Sequence, residues 1–222
     1  MAILALATSG PAGAVGLRLP DGGLRARALA DGARRGRGLA PAIQALLAEA
    51  GQTLEDLRAI AVDVGPGSFT GVRVGVTTAK SLAFALGIPT LPVDSLTALA
   101  AGADPEERVL ALRDAGRGTV YHAVFGPGAP GSRHALVGPA RAPGETLAAL
   151  ASDARPVGEE ALELATRFDL GSEARTVTAD VHAVLAVAEA RLARGETCAP
   201  HDLVPRYHQA SAPERKAAGE VD

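Results

Sequence analysis

Residues 61–80 read Ala-Val-Asp-Val-Gly-Pro-Gly-Ser-Phe-Thr-Gly-Val-Arg-Val-Gly-Val-Thr-Thr-Ala-Lys. The pattern predicts a buried strand over 59–64, a glycine-rich turn over 65–69 and a helix over 70–86. A strand that turns sharply into a helix is typical of α/β sheets, and the backbone N–H groups at such a turn can bind an anion. The residues of this candidate anion or nucleotide loop are Gly65, Gly67, Ser68, Thr70 and Arg73.

The spacing of the loop departs from the standard phosphate and nucleophile motifs. A P-loop would need glycine in place of Pro66 and a following Gly-Lys-Ser/Thr, and a dinucleotide fingerprint would need glycine in place of Thr70. A nucleophile elbow around Ser68 would need glycine at both of those positions. An equal alternative is structural: Ser68 or Thr70 caps the helix, and Gly65 and Gly67 permit the turn before it.

Small residues recur every fourth position along the predicted helix, at Gly71, Gly75, Ala79, Ala83 and Gly87. Four-residue spacing keeps them on one face, where another element can approach closely. The residues alone leave two interpretations open, which are packing against the protein's own helix or sheet and an interface with another protein.

The order of predicted elements repeats along the chain. The first half contains strands at 2–7, 14–19 and 24–30, a helix at 39–50, a strand at 59–64, a helix at 70–86 and a strand at 88–93. The second contains strands at 108–113, 120–125 and 133–137, a helix at 145–150, a strand at 155–157, and helices at 159–168 and 179–194. We therefore expect a duplicated α/β fold with two similar βββαβα halves, 1–103 and 104–209, and a mobile tail over 210–222.

Composition restricts the possible functions of the 222 residues. A net charge of −3 is unlike a free-standing nucleic-acid binder, and of the 22 basic residues only Lys80 and Lys216 are lysines. The single cysteine, Cys198, favours a reducing cytoplasm, and the five histidines lack metal-ligand spacing. No targeting or membrane-spanning segment is expected. The run Arg25, Arg27, Arg34, Arg35 and Arg37 predicts a solvated edge, with direct tRNA binding as the alternative.

Several stretches together resemble the TsaB (YeaZ) family over nearly the whole length. They are Ile3-Leu-Ala-Leu-Ala-Thr-Ser9, residues 39–51, residues 65–75 with Ala79-Lys80, Val93-Asp-Ser-Leu96, and Asp114 through Tyr121. The resemblance implies a duplicated RNase H-like fold of the actin/Hsp70 (ASKHA) type, which agrees with the predicted repeat.

The resemblance also implies a role. Members of this family are non-catalytic partners of the enzyme TsaD and, with the ATPase TsaE, support formation of N6-threonylcarbamoyladenosine beside the anticodon of tRNAs reading ANN codons. By this resemblance we expect no catalytic residue, cofactor or metal, contact with tRNA only through the complex, and a homodimer when the protein is alone. The partner surface would lie on the first two helices, with contacts at Leu39, Ile43, Leu46, Gly71, Gly75, Ala79 and Ala83.

Three departures from the family pattern bear on catalysis. Ala7 replaces the aspartate that serves as the phosphate-loop carboxylate in active members of the superfold, and Arg35 replaces a frequent histidine. Near the C-terminus Pro205-Arg-Tyr-His-Gln209 replaces Pro-x-Tyr-Leu-Arg. The competing hypothesis is an enzyme of the same superfold, either an ATP-dependent transferase or a glycoprotease-like protein.

Overall fold

A computed structural model describes residues 2–29 and 38–206, and these residues form two five-stranded sheets and six α-helices. The first half contains β1 (Ala2–Ala7), β2 (Ala14–Arg18), β3 (Leu24–Ala28), α1 (Leu39–Glu49), β4 (Leu57–Asp63), α2 (Phe69–Leu86), β5 (Thr90–Val93) and α3 (Ser95–Ala101). The second contains β6 (Val109–Gly116), β7 (Thr119–Phe125), β8 (Ala135–Pro143), α4 (Ala148–Ala151), β9 (Arg155–Gly158), α5 (Ala161–Phe168), β10 (Arg175–Thr176) and α6 (Val181–Ala193).

The two sheets have the same strand order, β3-β2-β1-β4-β5 and β8-β7-β6-β9-β10. In each, the first strand pairs antiparallel with the second and parallel with the fourth. This repeat confirms the duplicated α/β fold. Each half continues past the expected βββαβα unit with one further strand and helix. Of these, β5 and α6 match predicted segments, whereas α3 and β10 match none.

The expected division between residues 103 and 104 lies between α3 and β6. The division into units 1–103 and 104–209 stays a prediction, and the expected mobile tail at 210–222 lies outside the described residues.

Three helices begin where side chains cap their N-termini. Ser68 Oγ accepts from Gly71 N at 3.2 Å at the start of α2. Asp94 accepts from the first amides of α3, and Asp180 does the same for α6. Each cap satisfies amides that a helix start leaves without an intrahelical partner. Within the described residues, no helix is both long and apolar enough to span a membrane.

Alternate residues of β1 face two different cores. Leu4 and Leu6 lie in the cluster beneath α1 and α2, while Ile3, Ala5 and Ala7 lie in a central core shared by both halves. This alternation follows from the two-residue period of a strand.

The last helix of each half packs against the other half. The second-half helix α6 contacts β1, β2, β4 and β5 of the first sheet, while the first-half helix α3 contacts β6, β7 and β9 of the second. A Cβ at Gly16 on β2 would lie 2.9 Å from the Cβ of Val181, so α6 lies almost on the backbone of the first sheet. The two halves therefore share one core.

Candidate functional site

The carboxyl ends of the parallel strands in both sheets meet between the two halves. In open α/β sheets, ligands bind outside the carboxyl ends of the strands, so a functional site is expected here. The side chains that meet there, hereafter the inter-half cluster, are Ser9 after β1, Asp63 at the end of β4, Ser95 after β5, Arg113 on β6 and Glu159 after β9.

Asp63 is the centre of the cluster and is fully buried. Its carboxylate accepts hydrogen bonds from the hydroxyls of Ser9 and Ser95 and from the backbone N–H of Gly65, the last at 3.0 Å. Burial raises the pKa of this carboxyl above its ordinary value, and the nearby charge of Arg113 and the three donors offset only part of that effect. Asp63 thus joins three turns of the first half.

Arg113 connects the second half to these turns and is only 4% exposed. Its Nη1 donates to Ser9 Oγ at 2.6 Å and to the carbonyl oxygen of Pro66 at 3.0 Å. Its Nη2 lies 3.1 Å from Glu159 Oε1. Burial raises the pKa of Glu159, and the charge of Arg113 acts in the opposite direction. The guanidinium therefore bridges both halves.

The raised pKa of Asp63 predicts a pH dependence of stability. The folded state holds this proton more tightly than the unfolded state, so the contribution to stability is greatest below the unfolded pKa of about 4 and falls as pH rises to the raised pKa. We expect the free energy of unfolding of the wild type, minus that of Asp63→Asn, to decrease as pH rises through this window. Urea titrations across the window measure it, with Asp21→Asn at an exposed turn as control. A difference that does not vary with pH would contradict the prediction.

The predicted anion loop is not assembled as an open site. Ser68 caps α2, which confirms the structural alternative for this residue. A Cβ at Gly67 would lie 2.5 Å from Arg113 Nη1 and 2.6 Å from the Ser9 carbonyl oxygen, so a cation of the protein itself lies against the turn. Thr70 and Arg73 are exposed to solvent, and the Arg73 guanidinium lies 5.0 Å from the ring centroid of Phe69.

A magnesium nucleotide, which the actin/Hsp70 fold class implies, does not fit the residues between the halves. Ala7 is buried in the central core and offers no oxygen ligand. Arg113 and Glu159 pair with each other between the turns that would have to surround the phosphates. In residues 2–29 and 38–206 no three His, Cys, Asp or Glu side chains are grouped so that they could hold a metal ion.

The seven predicted partner contacts are all buried within the chain itself. They are Leu39, Ile43, Leu46, Gly71, Gly75, Ala79 and Ala83. A Cβ at Gly71 would overlap the carbonyl oxygen of Thr8, and one at Gly75 would overlap its hydroxyl. The assignment of these side chains as direct contacts therefore needs correction, since the small-residue face packs on the protein's own β1 turn and sheet. Docking through α1 and α2 stays a prediction and must use their outward sides.

The outward side of α2 carries two exposed aromatic residues that sequence reasoning missed. Phe84 is 77% and Phe69 is 56% exposed. They are 15 positions apart, which corresponds to about 22 Å along the axis and about 60° around it. Between them Arg73, Thr77 and Ser81 are also exposed. These five residues form what we call the outer face of α2. Helix α1, which shares a hydrophobic cluster with α2, exposes Ala40, Gln44 and Ala48.

The remaining candidate residues either have contacts within the protein or are not among the residues that the structure describes. Arg27 on β3 pairs with Glu49, whereas Arg34, Arg35 and Arg37 and the altered residues His208 and Gln209 are outside the described residues. Lys80 Nζ donates to the carbonyl oxygens of His201, at 2.9 Å, and Leu203, at 3.4 Å.

The geometry first defines a class of protein: a duplicated α/β fold of the RNase H-like, ASKHA type in which side chains from both halves fill the place between them. A family model described as TsaD, tRNA N6-adenosine threonylcarbamoyltransferase, matches residues 35–190. YeaZ from Pseudomonas aeruginosa is 30% identical with a TM-score of 0.81, over 93% of this chain and 99% of that one. A second structure, titled as an uncharacterized protein with similarity to peptidase YeaZ from Pseudomonas aeruginosa, is 31% identical with a TM-score of 0.81, over 94% and 99%.

A curated relative is the tRNA threonylcarbamoyladenosine biosynthesis protein TsaB of Bacillus subtilis (strain 168), which is 45% identical over 86 residues. That match spans 38% of this chain and 38% of the relative's length. The chain belongs to the TsaB (YeaZ) family, within the group that the TsaD model describes.

Proposed function

We propose that this protein is a non-catalytic scaffold and activator of a TsaD-type tRNA N6-adenosine threonylcarbamoyltransferase. In this role it acts with TsaD and TsaE in the formation of N6-threonylcarbamoyladenosine beside the anticodon of tRNAs reading ANN codons, and it meets tRNA only through the complex. The proposal combines the names of the relatives with one structural observation, the outer face of α2.

The outer face supports docking because it exposes aromatic surface that water solvates poorly. Large aromatic residues are common at the centres of protein–protein interfaces, and an exposed apolar patch often marks such an interface. Phe84 and Phe69 are both more than half exposed. Between the two phenylalanines the side chains of Thr77 and Ser81 are short, so a partner helix can approach the backbone of α2 closely there. We propose the same face for the homodimer that the isolated protein would form.

The chemistry between the halves supports a role without catalysis. The carboxylate of Asp63 and the guanidinium of Arg113 are occupied by partners inside the protein. Both groups are also buried, so neither is displayed to a substrate in solution, and a scaffold does not require that they are.

Substitution of the two phenylalanines tests the proposal. Phe84→Ala and Phe69→Ala are each expected to weaken binding to the TsaD-type protein of the same organism by about 30-fold, the loss typical of an interface hot spot. Isothermal titration calorimetry of purified wild type and variants measures the Kd. Melting temperatures should be unchanged, because both side chains lie at the surface.

Leu162→Ala provides the matched control. Leu162 lies on α5, the second-half counterpart of α2, and is 53% exposed. Its substitution should leave the Kd within about twofold of wild type. Equal affinities for all variants would refute docking through the outer face.

The enzyme alternative is tested on the isolated protein with magnesium and ATP. We expect neither binding heat nor turnover, whereas micromolar affinity with turnover would favour an ATP-dependent enzyme. A reconstituted modification reaction with TsaD and TsaE should lose activity when this protein is omitted.

A further inference from the structure

We propose that Arg113 is a positioning residue for the docking surface. From the second half it holds the turn 65–68 and so fixes where α2, with Phe69 as its first residue, begins. The inference rests on the proposed function in one respect, namely that docking uses α2. By this inference, a residue of the second half helps to position a docking surface that lies entirely on the first half.

The turn 65–68 is held by contacts from three sides. Ser68 N donates to the Ser9 carbonyl oxygen at 2.9 Å, and Ser95 N donates to the Gly65 carbonyl oxygen at 2.8 Å. These two contacts come from the first half. The third, from Arg113 Nη1 to the Pro66 carbonyl oxygen, comes from the second half.

Arg113 holds more than one of these contacts in place. The same Nη1 donates to Ser9 Oγ, and Ser9 in turn donates to Asp63 and supplies the carbonyl that Ser68 N binds. Glu159 pairs with Nη2, the other terminal nitrogen of the guanidinium, and this ion pair helps to set its direction. A charged donor in a buried site forms stronger hydrogen bonds than a neutral one, so Arg113 contributes strongly to the order of the turn.

The order of the turn determines the first turn of α2. Ser68 caps the helix and Phe69 follows it directly, so a shift of the turn moves the aromatic ring at one end of the outer face. Because Phe84 lies about four helical turns further on, it should be affected much less. The inference therefore predicts a local effect at one end of the docking surface.

The test compares two buried arginines of the second half. Arg113→Met is combined with Glu159→Gln so that the carboxylate paired with Arg113 is not left buried without its cation, while Asp63 keeps its three hydrogen-bond donors. Arg133→Met is the control, because Arg133 is also buried but donates only to backbone carbonyls of its own half, at Asp104, Glu107 and Gly126. Hydrogen exchange of the full-length chain, followed by mass spectrometry of peptides covering 65–72, reports on the turn without any partner.

We expect exchange over 65–72 to become about tenfold faster in the Arg113/Glu159 variant, and affinity for the TsaD-type protein to fall about tenfold, as loss of hydrogen bonds to a charged group implies. Arg133→Met should change neither. Unchanged exchange in the first variant overturns the inference, as do equal effects in both variants or faster exchange with unchanged affinity. If the wild type does not bind the TsaD-type protein, the proposed function fails, while the exchange data still decide whether Arg113 holds the turn.

Discussion

Residues 1–103 expressed without the rest of the chain are expected to remain unfolded. One face of their sheet is covered by α6 of the second half, whose buried residues include Val181, Val184, Leu185 and Val187. Truncation of one such side chain costs about 2–5 kcal/mol, and the whole stability of a domain is about 5–15 kcal/mol. Removal of the entire helix therefore costs more free energy than the total stability of a domain. Circular dichroism and the dispersion of amide NMR signals measure the outcome.

Co-expression of 1–103 with 104–222 provides the comparison. The two fragments should assemble and recover cooperative thermal unfolding, because every contact of the intact core is then available. A fragment 1–103 that unfolds cooperatively by itself would show that the first half is an independent domain and would refute the prediction.

Gly71→Ala is expected to destabilise the fold by about 3 kcal/mol or more, through overpacking against a backbone atom. The added methyl group would overlap the carbonyl oxygen of Thr8. That backbone cannot easily move away, because Thr8 Oγ1 donates to the Gly71 carbonyl oxygen at 2.8 Å and holds the two segments together. Urea unfolding monitored by circular dichroism measures the loss.

Gly126→Ala is the control for this substitution. A Cβ there would meet the side chain of Leu136 at an ordinary distance of 3.7 Å. The change in stability should be below about 1 kcal/mol. A Gly71→Ala protein as stable as the Gly126→Ala protein would show that α2 can lift from the β1 turn at little cost.

Much of the fold could be predicted because its elements carry local signals. The buried strand 59–64 and the helix ending at Gly87 correspond to β4 and α2. In contrast, α3 is covered by the second sheet and by α6 and is buried on several sides, so it lacks the polar face that makes a helix visible in sequence. β10 has only two residues, too few to show any period.

The candidate site was harder to predict because its contacts are long-range. A stripe of small residues predicts that something approaches α2 closely, but it does not identify Thr8 and the protein's own sheet as that neighbour. Arg113 comes directly after the apolar residues 109–112 of its strand, and Glu159 lies beside Glu160, so neither residue has a distinguishing local pattern. Their meeting with Asp63 is fixed only by the way the two halves pack.

The packing of α3 and α6, each against the sheet of the opposite half, also affects the chain during its synthesis. The first sheet is complete at Val93, but the helix that covers its inner face ends at Ala193. At about 5–20 residues per second, the nascent chain would expose that apolar face for roughly 5–20 s. We expect ribosome-associated chaperones to bind such an intermediate. The folding yield of the protein in cells should therefore depend on these chaperones more strongly than the stability of the folded protein suggests.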